Sequence, residues 1–177
     1  MLLDGLEITQ FTYFQQCGGV DLDPISVELT YGLDRIAAYL QDVENVYDVM
    51  WSDTVSYRQV RLAEEEQFSA YSFDFADAGS TRKQFDLIEG EAAKLLSEYA
   101  KVRGAAIRRF PVLEAYDLCL KCSHLFNVLD ARGAISVTER AGMIGRVRKL
   151  ATQAARAWLD QRAAVQGTAQ ATVEAKA

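Results

Sequence analysis

Apolar and polar positions alternate from Leu6 to Gln15, in a run rich in Ile, Thr, Phe and Tyr, and this period of two predicts a β-strand. Asp4-Gly5, just before it, is a two-residue hairpin signal, because both residues tolerate the left-handed backbone of a tight turn. Only Met1 to Leu3 precede that turn, so the strand lacks a partner of its own length. The expectation is a chain that begins inside a fold, with the absent strand supplied by another polypeptide or the edge left unpaired. Cys17-Gly18-Gly19 predicts a flexible turn, and the stretch to Pro24 a loop. Alternation returns from Val27 to Tyr31, passes through Gly32 and gives way to an amphipathic helix from Leu33 to Leu40. Val43 to Trp51 is short and apolar, either a strand or a buried connector.

After Ser52 the period becomes helical. One helix is expected from Tyr57 to about Phe68, with Glu64 to Glu66 as a solvated face. Tyr71 to Phe75 alternates aromatic and polar residues, a pattern suited to docking aromatics on the sheet. Ser80 is a candidate N-cap for a helix to Tyr99 whose apolar side holds Phe85, Ile88, Leu95 and Leu96. A basic connector, Lys101 to Arg109, leads to Pro111, which suits the first turn of a helix ending near Ala131. Ser136-Val-Thr-Glu139 matches a capping box, in which a hydroxyl and a carboxylate satisfy each other's free backbone amides. The last helix then runs to roughly Ala164, and from Gln166 the chain has little to bury and is expected to be disordered. Strands first and helices afterwards make the fold class α+β.

The chain has 177 residues, enough for one sizeable domain or two small ones. Its formal net charge of -6 excludes a uniformly basic nucleic-acid glove, so any polyanion contact is local. The last helix is the place for one: Arg140, Arg146, Arg148, Lys149, Arg156 and Arg162 suit RNA or an acidic partner, or simply a solvated face. No apolar run is long enough to span a membrane, and MLLDGLEITQ lacks the basic start and apolar core of a signal peptide, so the expected location is cytoplasmic. Three cysteines do not make a disulfide framework. Cys119 and Cys122 form C-x-x-C inside a helix, without a second ligand pair, and read as small buried residues; no resident metal site is expected. His124, the sole histidine, reads as structural.

The chemistry concentrates in Glu28-Leu-Thr-Tyr-Gly-Leu-Asp-Arg35. Glu28 and Thr30 share one strand face. Gly32 leaves the backbone open to a ligand, and Arg35 stands in the first helical turn, where the helix dipole does not favour a cation. An acid, a hydroxyl and a guanidinium beside a helix N-terminus suit a substrate with an ammonium group and phosphates. The same residues are also ordinary components of a strand-Gly-helix junction.

Four stretches in order, DGLEITQFTYFQQ, ELTYGLDRIAAYLQ followed by VYDVMWSD, YSFDFAD, and HLFNVLDARGAISVTER, resemble the alpha subunit of the bacterial heterotetrameric glycyl-tRNA synthetase. The resemblance covers nearly the whole chain up to the tail. It implies part of a class II synthetase antiparallel sheet over residues 1–56, a helical domain over 57–165, and a disordered tail over 166–177. GLDR is similar to the family's third signature motif, which gives Arg35 the catalytic role of stacking on adenine and meeting the terminal phosphates of ATP. Glu28 and Thr30 are then placed for the glycine ammonium. Glu7 and Gln10 are candidates for ATP or magnesium contacts, although they face opposite sides of a regular strand.

The implied activity is ATP- and magnesium-dependent glycyl-adenylate formation followed by glycylation of tRNA-Gly. The implied partners are a beta subunit and a second alpha chain. The family's first two motifs have no counterpart among these residues, so activity is expected only with complementing polypeptide. The alternative is an inactive fragment whose helices serve as a subunit-assembly module.

Overall fold

The computed structural model describes residues 1–174, with side chains to Gln166. Asp4 and Gly5 both take positive φ, 47° and 84°, as a tight hairpin turn requires. They join β1 (Leu2–Leu3) to β2 (Leu6–Glu7) in an antiparallel pair, with Leu2 opposite Glu7 and Leu3 opposite Leu6. Gly18 and Gly19, at φ 58° and 71°, join β3 (Thr9–Cys17) to β4 (Val20–Tyr31) in a second hairpin. The stretch expected as a loop up to Pro24 is therefore strand. Proline brings no N–H to a ladder and is confined to strands with a free edge, and each strand of a two-stranded sheet has one.

Helix α1 (Leu33–Leu40) occupies the expected residues. Of the two alternatives for Val43 to Trp51, the connector holds: Val46–Asp48 forms a single 3-10 turn, and Val49 is buried. Helix α2 (Tyr57–Ala70) opens with a capping box that sequence reading missed. The Ser56 amide donates to Gln59 Oε1 at 2.8 Å, and the Gln59 amide donates to Ser56 Oγ at 3.4 Å. Tyr71–Phe75 continues from α2 as a π-helical stretch. No Gly or Pro interrupts the chain there, and alternation alone makes no strand without a ladder partner.

Helix α3 (Ala78–Tyr99) is capped by Asp77, whose carboxylate accepts from the Ser80 amide at 2.6 Å, so the cap lies three residues before the expected Ser80. Helix α4 (Val112–Ala131) and helix α5 (Val137–Glu174) follow. The expected capping box opens α5, with the Ser136 amide donating to Glu139 Oε2 at 2.8 Å and the Glu139 amide to Ser136 Oγ at 3.3 Å. The α5 backbone continues past Ala164 through most of the stretch expected to lack structure; residues 175–177 of that stretch lie outside the described residues. Two antiparallel hairpins followed by helices bear out the α+β class.

The chain divides into two compact units: Met1–Gln16 with Asp21–Phe75, and Cys17–Val20 with the chain from Ala76 on. The second is a bundle of α3, α4 and α5 around one apolar core. Phe85, Leu129, Val112 and Cys122 are fully buried there, and each large apolar side chain contributes about 1.5–3 kcal/mol. Arg146 of α5 clamps α3: its Nε donates to Glu89 Oε1 at 2.8 Å and its Nη2 to Asp86 Oδ1 at 2.6 Å, with the guanidinium carbon 4.7 Å from the Phe85 ring centroid. Those bonds, to Glu89 above all, push the Arg146 pKa further up. At the C-terminal end of α3 the Tyr99 hydroxyl donates to Asp160 Oδ2 at 2.7 Å.

Cys119 and Cys122 are buried, as expected, and Cys17 is exposed. Burial pushes the Cys119 thiol up and the Cys122 thiol up to about 11 from an ordinary 9.0. Burial, with the bond to Asp160, raises Tyr99 from 10.0 to about 12. A group with a raised folded pKa contributes stability below its unfolded pKa and loses that contribution as pH climbs through the folded value. The bundle is therefore expected to weaken between pH 9 and 12. Urea titrations across that range check this, and a Tyr99→Phe, Cys122→Ala double variant should show a flatter alkaline limb.

Candidate active site

Ile8 is where the two hairpins of the first unit meet. Its amide donates to the Met1 carbonyl at 3.1 Å, and its carbonyl accepts from the Gly32 amide at 2.8 Å. The strand is thus broken between β2 and β3, and the start of α1 is tied to the break. Helix α1 begins without a side-chain cap, Gly32 occupying the N-cap, while Asp34 places a carboxylate in the first turn, where the helix dipole favours one. Arg35, in the same turn, reaches back to β2: its Nη1 donates to the Glu7 carbonyl at 2.8 Å.

This junction encloses a cleft of about 440 Å³ lined by Glu7, Thr9, Gln10, Thr30, Gly32, Asp34, Arg35 and Val46. Four of the five residues expected at the site, Arg35, Thr30, Glu7 and Gln10, line it together. Glu28 does not line it; it stands beside Thr30, whose hydroxyl donates to the Glu28 carboxylate. Glu7 and Gln10 line one cleft despite opposite parity in a regular strand, and Ile8, between them, belongs to neither β2 nor β3.

Sequence reading missed Thr9, Asp34 and Val46. Asp34 was legible as a first-turn acid. Thr9 is 3% exposed and nothing in the pattern separates it from its neighbours. Val46 arrives through a contact distant in sequence: the Gln41 amide mimics a strand partner for Met50, accepting from its N–H at 2.7 Å and donating to its carbonyl at 3.1 Å.

A guanidinium has five N–H donors in a rigid plane, so one bond to a carbonyl fixes Arg35 and leaves donors for an anion. Asp34, Glu7 and the adjacent Glu28 supply the opposite charge. The cleft can accordingly hold a ligand that carries an anion and an ammonium together. Among the described residues no group of three or more His, Cys, Asp or Glu is arranged to hold a metal ion, and no helix is long and apolar enough to cross a membrane.

His124, expected to be structural, is exposed on α4 beside Gln84, Ile88 and Lys121. The basic residues of α5 divide. Arg140 pairs with Asp130 at 3.1 Å and Arg146 with α3, whereas Arg148, Lys149 and Arg156 are exposed without an ion pair among the described residues.

Together these features define an α+β protein with a cleft of charged and polar residues at its strand-to-helix corner. The family model described as glycyl-tRNA synthetase alpha subunit matches residues 1–163. The chain belongs to this family, a family of aminoacyl-tRNA ligases, in which an alpha subunit implies a beta subunit and tRNA is a partner.

Gly32 has an ordinary negative φ of -81°, and a Cβ there would meet Arg35 Cδ at 3.5 Å and the Ile8 carbonyl at 3.6 Å, both normal contacts. Gly32→Ala is therefore expected to fold with unchanged thermal stability while narrowing the cleft. Ligand affinity by calorimetry, beside a melting curve, checks both halves of this expectation.

Proposed function

We propose that the cleft is the glycine- and ATP-binding corner of a class II glycine–tRNA ligase, acting within an assembly of alpha and beta chains that includes an alpha–alpha dimer. The observation that carries this reading is that Arg35, Thr30, Glu7 and Gln10 line one cleft at the junction of β4 and α1. In this reading Arg35 stacks on adenine and pairs with the terminal phosphates of ATP, with its plane held by the Glu7 carbonyl. Glu28 and Thr30 hold the glycine ammonium. Thr30 lines the cleft, and its hydroxyl donates to the Glu28 carboxylate, which stands next to the cleft and brings a negative charge close to it. Glu7 and Gln10 meet ATP or its magnesium, which enters as part of the substrate complex.

A glycine carboxylate oxygen attacks the α-phosphorus, the bond to pyrophosphate breaks, and glycyl-adenylate forms. A ribose hydroxyl at the end of tRNA-Gly then takes the glycyl group and AMP leaves. No enzyme nucleophile takes part; positioning and charge neutralisation carry the rate. The contact to the α-phosphate comes from polypeptide outside these residues, so activity belongs to the assembled enzyme, at work in the cytoplasm.

A second reading, an assembly module without catalysis, is favoured by one feature. Helix α4 exposes Leu113, Tyr116 and Leu120 along one side, an apolar stripe suited to a partner helix.

Glycine-dependent ATP–pyrophosphate exchange separates the two. In the assembled enzyme Arg35→Ala is expected to slow exchange about 10²–10³-fold, roughly 3 kcal/mol of transition-state stabilisation, with circular dichroism unchanged. Full exchange activity in a folded Arg35→Ala enzyme would refute the proposed role.

A further inference from the structure

Charge is divided unevenly along the chain. Residues 1–75 hold 14 acidic and three basic side chains, whereas residues 76–177 hold 11 acidic and 16 basic. A polyanion is repelled by the first stretch and attracted by the second. Several bases of the bundle are already engaged: Arg82 with Glu139 at 3.3 Å, Lys121 with Asp117 at 2.7 Å, and Arg140 and Arg146 as described. The connector between α3 and α4 differs. From Lys101 to Leu113 there is no acidic residue, and Arg108 and Arg109 are exposed without an ion pair among the described residues.

The connector is also held rigidly. Gln161 Nε2 donates to the carbonyls of Ile107 at 2.7 Å and Phe110 at 2.9 Å, the two residues that flank Arg108 and Arg109. Phe110 packs edge-on against Tyr99, with ring centroids 5.4 Å apart. Arg162 follows Gln161 directly, so the two connector arginines and Arg162 are presented at the same end of the bundle. Arg162 lies 5.1 Å over the ring of Trp158, which is 40% exposed. The acids nearby are Asp160, which accepts from Tyr99, and the exposed Glu98 and Glu114.

We propose that this end of the bundle, Arg108, Arg109 and Arg162 beside Trp158, is a contact surface for the phosphate backbone of tRNA. The proposal rests on the ligase reading above and adds to it the surface by which this chain holds the nucleic acid. Arginine forks match phosphate oxygens two at a time, and a half-exposed indole offers a face for an unpaired base. A backbone already held by Gln161 also loses less conformational freedom on binding than a mobile loop.

The test uses a fluorescein-labelled tRNA-Gly transcript and the assembled alpha–beta complex, with affinity measured over a salt series. Replacing the three arginines, Arg108→Gln, Arg109→Gln and Arg162→Gln, is expected to weaken binding about tenfold or more and to reduce the steepness of the log–log salt dependence by about 2. Lysine at the same three positions should restore the salt slope. Unchanged affinity and slope in the glutamine variant would overturn the proposal. So would loss of the beta subunit from that variant in sedimentation, because the patch would then belong to an acidic protein surface. Pyrophosphate exchange in the same preparations reads the ligase site separately: it should be equal in wild type and variant, and its absence from wild type would count against the ligase reading without touching the binding result.

Discussion

Two hydrogen bonds hold the site together: Gly32 N–H to the Ile8 carbonyl and Arg35 Nη1 to the Glu7 carbonyl, each 2.8 Å. They bind the first turn of α1 to successive residues of one strand break. The helix is thereby tied to the interruption between β2 and β3, and the cleft lies at this junction. Arg35 is held by backbone, not by a carboxylate. Its charge is therefore not neutralised by its anchor, and a ligand anion meets a full positive charge in a fixed plane. A carboxylate anchor would have fixed the plane equally well and cancelled the field.

The bundle solves a different problem. Its apolar core is supplied by three helices, and its polar ties lie at two levels: Arg146 with Asp86 and Glu89 midway along α3, and Tyr99 with Asp160 at the end of α3. Both ties join α3 to α5, so the register of these helices is fixed at two points. Arg108, Arg109, Arg148, Lys149 and Arg156 are exposed without an ion pair among the described residues and remain available to partners. The first unit has the opposite character, being acidic, with an uncovered apolar strand face in which Ile25, Val27, Leu29 and Tyr31 are all exposed.

Much of this was readable from local pattern because the local physics is strong. Asp4-Gly5 and Ser136/Glu139 each encode a geometry that short-range sterics and hydrogen bonds determine, and α1 has the expected ends because its stripe is unambiguous. The misreadings share a cause: tertiary or competing local partners. The run to Pro24 reads as a loop until β3 is there to pair with it. Tyr71 to Phe75 alternates aromatic and polar residues, yet the helical backbone continues through it. Ser80 is a good cap, but Asp77 is better placed and wins. At the site, charge and spacing pointed to Glu28, Thr30 and Arg35, and the family resemblance added Glu7 and Gln10, but the interruption at Ile8 between Glu7 and Gln10 has no signature in the sequence. Val46 depends on a glutamine amide standing in for a strand, a contact that no periodicity announces.

Hydrogen–deuterium exchange of the assembled enzyme with a non-hydrolysable glycyl-adenylate analogue probes the cleft most directly. Protection confined to two separate stretches, Glu7–Gln10 and Glu28–Arg35, rising together with analogue concentration, is the expected result. Saturating analogue that protects neither stretch, or protects only peptides of the helical bundle, would contradict the account.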